Sequence, residues 1–408
     1  MADVLKGTLV VGQSGGITAA INSSLIGVVH EAMQHAEIDG IYGAVHGVEG
    51  ILAERFIDLR RESRRTLQRL VSTPSACLGA CRYKLSDADY RRILDVFKAH
   101  NVRYFVYIGG NDSADTSHKI AKLAQEVGYD LRVMGVPKTI DNDLPITDHC
   151  PGYGSAARFI AISTMDAGLD TEGMRLVDPI KIVETMGRNA GWLAAASALG
   201  KRDEVEAPHL IYMPERGLDV DRFLADVEGV YRRLGYAVIV VTETIRDPKG
   251  VPVGQIEDDL FTDSFGHKRL TGAGQFLCNL ISRKLKVKAR WDKPGTLQRA
   301  SSAIVSRVDL EEAYMVGRDA VRHATAGTSD RIVVLVRENG PKYRCTTGLA
   351  PLEAIANTEK RLPDDYIAPA GNFVTDAFVQ YARPLIGGPL RRHARLKRYF
   401  VASLLGSM

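Results

Sequence analysis

The sequence predicts an α/β protein built as two three-layer α/β/α units with mostly parallel sheets. Three observations point there. Short apolar runs alternate with stretches of helical periodicity along most of the chain. The runs stop at glycine, proline or polar clusters: Leu9-Val10-Val11 at Gly12, Tyr104 to Ile108 at Gly109-Gly110, and Leu131 to Val136 at Pro137. The run Tyr104-Phe105-Val106-Tyr107-Ile108 is nearly all apolar, which suits a strand covered on both faces.

In chain order, the strand at Leu9-Val10-Val11 passes through Gly12-Gln13-Ser14-Gly15-Gly16 into a helix over Ile17 to Met33. A strand follows near Gly40 to Val45, then a helix over Arg91 to Ala99 and the buried strand at Tyr104 to Ile108. Periodicity gives a helix over Ser117 to Val127 and a strand over Leu131 to Val136. After a polar stretch the alternation resumes. Strands are expected at Ile180 to Glu184, His209 to Met213 and Ala237 to Val241. Helices are expected at Gly191 to Leu199, Val220 to Leu234 and, after a polar approach at Ser264 to Lys268, Gln275 to Leu285. The part from Ala300 onward holds a helix over Asp309 to Ala326 and a strand over Arg331 to Val336, expected to pack back on the first unit. The domains predicted are therefore 1–155 with 299–385, then 156–298, with a basic helical tail at 386–408. In that tail Arg391, Arg392, Arg395, Lys397 and Arg398 are spaced along one helix face, as a solvated surface or a subunit contact rather than a nucleic-acid surface.

Composition narrows the class. The chain has 408 residues, enough for two or three domains at about 150 residues each. With 45% hydrophobic and 25% charged residues it does not read as disordered. No stretch approaches the roughly 20 apolar residues of a membrane span, and Met1 to Lys6 does not read as a secretory signal. A net charge of +4 does not demand nucleic acid and suits small anionic substrates equally well. The five cysteines, an odd number, argue against a disulfide framework, and Cys77 and Cys81 lack the second pair that a zinc site needs. A cytoplasmic, reducing environment is expected.

Ligands of open parallel sheets bind beyond the carboxyl ends of the strands, and three polar clusters gather there. Gly15-Gly16 allows close backbone approach, either to a phosphate or simply in a tight turn. The chain lacks G-x-G-x-x-G and the P-loop pattern. In Gly109-Gly110-Asn111-Asp112-Ser113, the glycines expose N–H groups and Asp112 offers oxygen to Mg2+. Pro137-Lys138-Thr139-Ile140-Asp141-Asn142-Asp143 sets two carboxylates two apart, hence on one face of an extended segment, with a lysine three before the first. Like charge raises one carboxylate's pKa toward that of a useful base; an Asx-rich turn is the plainer reading. Met186-Gly187-Arg188 and Pro214-Glu215 follow further strands, offering a phosphate-binding arginine and an acceptor for sugar hydroxyls. Arg290 and Arg299 belong to a basic patch that also reads as a solvated face. Together the clusters suit phosphoryl transfer to a phosphorylated small molecule.

These motifs, in this order over roughly residues 10 to 300, resemble the phosphofructokinase family. The resemblance implies two Rossmann-like domains with the active site in the cleft between them, and transfer of a phosphoryl group to the 1-hydroxyl of fructose 6-phosphate. It implies Asp141 as general base, Asp143 as its partner near Mg2+, and Thr139 at the transferring group. Gly15, Gly16, Gly110, Asp112 and Lys138 would hold the donor, with Asp112 and Asp143 toward the metal. Met186, Gly187 and Arg188 would line the sugar-phosphate site, Glu215 would bind sugar hydroxyls, and Arg290 and Arg299 would hold the 6-phosphate. ATP-using members generally carry glycine where Asp112 stands, and the pyrophosphate-dependent subfamily carries aspartate. Asn111 departs from the usual acidic residue, and Thr296 stands where bacterial ATP-users often have histidine. The resemblance thus favours pyrophosphate over ATP, a reversible reaction, and a homodimer or homotetramer. Sedoheptulose 7-phosphate is an alternative acceptor.

Overall fold

The computed structural model describes residues 5–254, 272–356 and 358–404. The strands are β1 (Gly7–Gln13), β2 (Ile38–Ala44), β3 (Phe56–Asp58), β4 (Val102–Gly109), β5 (Arg132–Pro137), β6 (Ile180–Thr185), β7 (Leu210–Tyr212), β8 (Ala237–Thr242), β9 (Ala289–Asp292), β10 (Arg331–Arg337) and β11 (Cys345–Pro351). They form a seven-stranded sheet in the order β11-β10-β5-β4-β1-β2-β3 and a four-stranded sheet in the order β7-β8-β6-β9. Pairing is parallel throughout except at the edges of the larger sheet, where β3 and β11 run antiparallel to their neighbours.

Alternation explains the layering. Leu9 and Val11 of β1 enter one core with the helix Ile21–Ala32, while Val10 enters the opposite core with Phe97 and Phe105. Val238 and Val240 of β8 face Trp192, and Ile239 and Val241 face Phe223 and Leu277. Each sheet is thus covered on both faces, which is why its strands read as continuous apolar runs.

β1 lies between β2 and β4, so the chain departs from it in opposite directions on its two sides. That reversal opens a crevice at the carboxyl ends of β1 and β4, where Gly12 to Gly16 and Gly109-Gly110 emerge. The C-terminal segment returns as expected: β10 pairs with β5, and the helix Arg307–Thr325 packs on Ile21–Ala32. That helix contact depends on glycine. A Cβ on Gly317 would lie 2.0 Å from the Ser24 carbonyl oxygen, and one on Gly27 would lie 2.1 Å from the Tyr314 carbonyl oxygen.

Several elements depart from expectation. The 21-residue helix Tyr153–Gly173 occupies much of the stretch that seemed polar. Its apolar stripe is diluted because neighbours cover much of its circumference. Asp309 caps its start, accepting from the Gly152 N–H at 2.7 Å and the Ser155 N–H at 3.0 Å. The helix Asn111–Glu126 begins six residues before Ser117, because its first turn is polar and faces the crevice. Residues 387–404 form no helix, correcting the helical tail. Gly387 and Gly388 both hold positive φ and Pro389 follows. The tail cations pair instead with the helix Tyr153–Gly173 and with Glu206: His393 with Asp166, Arg395 with Glu172 and Glu206, and Arg398 with Glu172. The Ser264 to Lys268 approach lies outside the described residues.

Gly317→Ala forces the two helices apart at their closest point. Urea unfolding should register a loss of about 1–3 kcal/mol, and an unchanged midpoint would mean that the contact tolerates a methyl group.

Candidate active site

Gly15 holds φ at +73° and turns the chain from β1 toward the helix Ile21–Ala32. The turn closes around cations. A Cβ on Gly15 would lie 3.0 Å from Lys138 Nζ, and one on Gly16 would lie 2.9 Å from an Arg299 guanidinium nitrogen. Glycine suits both positions: Gly15 for its positive φ, and both because a side chain there would displace the tips of Lys138 or Arg299. Lys138 Nζ donates to the Gly16 carbonyl at 2.8 Å, and its backbone N–H donates to the Gly109 carbonyl at 3.0 Å. Lys138 thereby ties the ends of β1, β4 and β5 together while only 3% exposed.

The residues after Lys138 leave the sheet and double back. Thr139 bridges to Gly152, and its hydroxyl accepts from the Asp141 N–H at 3.1 Å. Asn142 adopts left-handed φ of +54°, held by its side chain: Nδ2 donates to Tyr381 at 3.1 Å and Oδ1 accepts from the Cys150 N–H at 2.9 Å. This clamp separates Asp141 from Asp143 and holds both carboxylates at the crevice.

From the second sheet, Met186 to Arg188 follow β6 and Glu243 follows β8. The Met186 N–H donates to Gln298 Oε1 at 3.0 Å, joining this loop to the Thr296–Arg299 segment. Gly187 has φ of +124°, and a Cβ there would meet the Ala190 carbonyl oxygen at 2.6 Å. The Arg188 side chain is 78% exposed, with Nε 4.0 Å from Glu243 Oε1.

Electrostatics mark Asp141 as the focal group. Burial, then the charges of Asp143 and Glu243, push its pKa up to about 7, against the opposing pull of Lys138 and Arg188. Burial also raises Asp143 and Glu243. Lys138 falls to about 8, through burial first and then through Arg299 and Arg82, with Asp141 resisting. Carboxylates and cations from both sheets therefore act on one another at a single place.

The structure brings together Gly15, Gly16, Gly110, Lys138, Thr139, Asp141, Asp143, Arg188 and Arg299. Asp112 sits exposed on the first turn of Asn111–Glu126. Beside it the Asn111 Oδ1 is buried without a hydrogen-bond partner. An unmatched oxygen next to a carboxylate at the crevice fits a hard divalent cation.

Two further expected residues have other partners in the structure. Arg290 is paired with Asp178 at 2.6 Å and sits level with Lys181 at the start of β6. Five residues of strand, about 15 Å, separate that level from Met186, so within one chain Arg290 does not join the cluster. Glu215 Oε1 accepts from the Gly191 and Leu362 N–H groups, both at 2.9 Å, while Oε2 is buried without a partner. Glu215 thus joins two loops through one oxygen and leaves the other unpaired beside the loop after β6, and Glu243 is the carboxylate of the second sheet whose charge acts on Asp141.

Sequence reasoning missed Arg82, Glu243 and the segment Glu359–Leu362. Arg82 sits in an irregular loop with no pattern around it. Glu243 was visible as a carboxylate directly after a buried strand, the same signal that marked the other clusters. Glu359–Leu362 has no motif, yet it fastens three of them. The Lys360 N–H donates to the Asp143 carbonyl at 2.6 Å, Glu359 accepts from Asn189 at 3.0 Å, and the Leu362 N–H reaches Glu215. Lys360 Nζ donates to the Thr147 and Asp148 carbonyls at 3.0 and 2.9 Å.

Comparison with known proteins gives this geometry a family. The phosphofructokinase model matches residues 8–324. The chain belongs to the phosphofructokinase family. Among phosphofructokinase relatives, it is 42% identical over 389 residues to a pyrophosphate–fructose 6-phosphate 1-phosphotransferase of Xanthomonas campestris pv. campestris, covering 94% of this chain and 92% of that protein. It is 41% identical to the protein of the same name from Rhodospirillum rubrum, covering 98% of this chain and 100% of the relative. The crystal structure of a pyrophosphate-dependent phosphofructokinase from Nitrosospira multiformis superposes with a TM-score of 0.86 at 37% identity, covering 97% of this chain and 96% of the other. The segment Glu359–Leu362 lies outside the region matched by the phosphofructokinase model.

If Asp141 serves as a base it must be ionised to accept a proton, and if Lys138 serves as a cation it must stay protonated. The pH profile of kcat/KM should therefore fall below about 7 and again above about 8. Lys138→Arg should move the alkaline limb to higher pH, since guanidinium keeps its charge there. An alkaline limb unmoved by that change would assign it to another group.

Proposed function

We propose that this chain is a Mg2+-dependent, pyrophosphate-dependent phosphotransferase acting on the 1-hydroxyl of fructose 6-phosphate, giving fructose 1,6-bisphosphate and phosphate. The observation that carries this reading is the position of Asp141. It is a buried carboxylate, raised toward neutrality, between the cation-lined glycine turn of one sheet and Arg188 and Glu243 of the other. The names of the relatives with near-complete coverage support the donor and the acceptor.

Asp141 accepts the proton of the sugar 1-hydroxyl as its oxygen attacks the donor phosphorus in line. Lys138, with Arg82 and Arg299, stabilises negative charge on the donor in a site where burial strengthens each interaction. Gly15, Gly16 and Gly110 leave backbone N–H groups open to the donor's oxygens. Thr139 orients the Asp141 loop through its hydroxyl and contacts the transferring group. On the acceptor side, Met186, Gly187 and Arg188 line the sugar phosphate, Glu215 takes hydroxyl hydrogen bonds through its unpaired Oε2, and the Glu243 carboxylate adds to the charge around Asp141. Asp112 and Asp143, with Asn111 Oδ1, would hold Mg2+, which when bound neutralises charge on the diphosphate.

Residues 1–155 with 299–385 serve as the donor domain, and 156–298 as the sugar-phosphate domain. Asp112 selects the donor: its carboxylate repels and crowds the α-phosphate of ATP while leaving room for pyrophosphate. Pyrophosphate and the product bisphosphate are comparable donors, so the reaction is readily reversed. All five cysteines are free thiols and no described helix is long and apolar enough to cross a membrane, in keeping with cytoplasmic action.

Initial rates with fructose 6-phosphate and Mg2+ should be high with pyrophosphate and low with ATP. The reverse preference would overturn the donor assignment. Asp112→Gly should raise ATP-supported turnover relative to pyrophosphate, and an unchanged ratio would remove Asp112 as the selector. Asp141→Ser should lower kcat roughly 10²–10⁴-fold with KM for the sugar little altered. Undiminished turnover in that variant would place the base elsewhere.

A further inference from the structure

The loop that carries Asp141 and Asp143 returns to the fold through His149, whose ring is buried between two carboxylates. His149 is 1% exposed. Its Nδ1 lies 2.8 Å from Asp148 Oδ2, and its Nε2 lies 2.6 Å from Glu312 Oε2 on the helix Arg307–Thr325. A neutral imidazole has one N–H and would turn a lone pair on one of these oxygens. Both carboxylates also accept from other donors. Arg337, at the end of β10, donates to Asp148 at 3.0 and 3.2 Å, and the Tyr343 hydroxyl donates to Glu312 Oε1. The proton shared by the three groups therefore belongs on the ring. With it there, Asp148, His149, Glu312 and Arg337 form a set of zero net charge, the condition under which ion pairs are tolerated away from water.

This set reaches the two aspartates through Asn142, the residue between them. Asn142 Oδ1 accepts from the N–H of Cys150, next to His149, and its Nδ2 donates to the Tyr381 hydroxyl. Tyr381 in turn donates to the Asp148 carbonyl at 2.8 Å, and its own carbonyl accepts from Arg337 at 3.0 Å. The Arg337 guanidinium also lies 4.6 Å from the Tyr381 ring centroid. Both bonds that hold Asn142 at its left-handed φ thus end on residues fixed by the charged set. We propose that His149, carried as an imidazolium between Asp148 and Glu312, is a positioning residue for Asp141 and Asp143. The proposal rests on the reading of Asp141 as the base. Burial works against charge on the ring, but the hydrogen bonds and charges of Asp148 and Glu312 outweigh it and hold the pKa above the ordinary value. The tie is therefore complete below the ordinary histidine value of about 6.5 and is lost as pH rises through the higher folded value. A metal ion is the rival occupant, because His149, Glu312 and Cys345 offer ligand atoms within 4.8 Å of one another. Burial pushes the Cys345 thiol up to about 12, however, so a thiolate is disfavoured there. The set is already neutral with a proton on the ring, and a divalent ion would unbalance it.

Two measurements on the full chain test this. Ring-nitrogen magnetic resonance of protein with labelled histidine should show His149 protonated on both nitrogens at neutral pH. Initial rates should give His149→Gln a kcat roughly 10–100-fold lower, with KM for fructose 6-phosphate and pyrophosphate little altered and the far-ultraviolet circular dichroism spectrum unchanged. That variant leaves the Glu312 carboxylate buried without its cation. Adding Glu312→Gln removes the stranded charge, so the double variant should regain most of the lost kcat. A singly protonated ring in the wild type would overturn the proposal, and so would wild-type turnover in His149→Gln. A double variant no faster than the single one would overturn it too, by assigning the loss to the shape of the ring. Zinc that copurifies stoichiometrically and leaves on chelation would give the cluster to a metal instead. Undiminished turnover in Asp141→Ser would remove the base that the tie positions, and a doubly protonated ring would tell that failure from the others.

Discussion

A lysine ammonium almost out of reach of water is the constraint around which this site is arranged. Lys138 is buried at the point where three parallel strands end, and burial weakens its hold on its proton. What keeps it charged is the Gly16 carbonyl and the carboxylates of Asp141 and Asp143. The dependence runs both ways, since Lys138 is among the groups that hold Asp141 short of full neutralisation. Gly15 and Gly16 cannot carry side chains without displacing Lys138 or Arg299. The motif residues are therefore not independent: each sets the space or the charge of another.

Much of this was legible in the sequence because it is local. β1, β4 and β5 are short apolar runs bounded by glycine or proline, and a buried parallel strand has that appearance whatever surrounds it. Gly15-Gly16 and Lys138 to Asp143 stand directly at strand ends, where an open sheet places its ligands. What stayed hidden depends on distant partners. Tyr153–Gly173 lacks a clear stripe because it is packed on several sides. Arg82 and Glu359–Leu362 join the site only through folding, from segments without periodicity. Arg290 stands apart from the cluster within one chain for the opposite reason. It lies near Arg299 in sequence, yet β9 begins at the other end of the sheet from the loop after β6.

The segment Glu359–Leu362 gives the two sheets a common attachment. It bonds to the Asp143 loop, to Asn189 after β6 and to Glu215 after β7. Lys360 beneath it fixes two carbonyls of the loop that returns from Asp143 and lies 5.3 Å from the Trp192 ring centroid. The base and acceptor proposed for the two sheets would need such a cross-tie, because small displacements of reacting groups cost large factors in rate.

The return of β10 to the side of β5 also bears on how the chain comes off the ribosome. Until Arg331–Arg337 has been made, β5 is an open edge of the larger sheet, and the helix Ile21–Ala32 lacks the glycine-matched partner that covers it. Nearly two hundred residues separate β5 from β10, about 10–40 s of synthesis at ordinary elongation rates. During that interval the nascent chain presents an unpaired parallel strand of apolar residues, the kind of surface that templates aggregation. The smaller sheet, contiguous in sequence, can close first, so the half of the crevice built on the larger sheet is the last part of the enzyme to form.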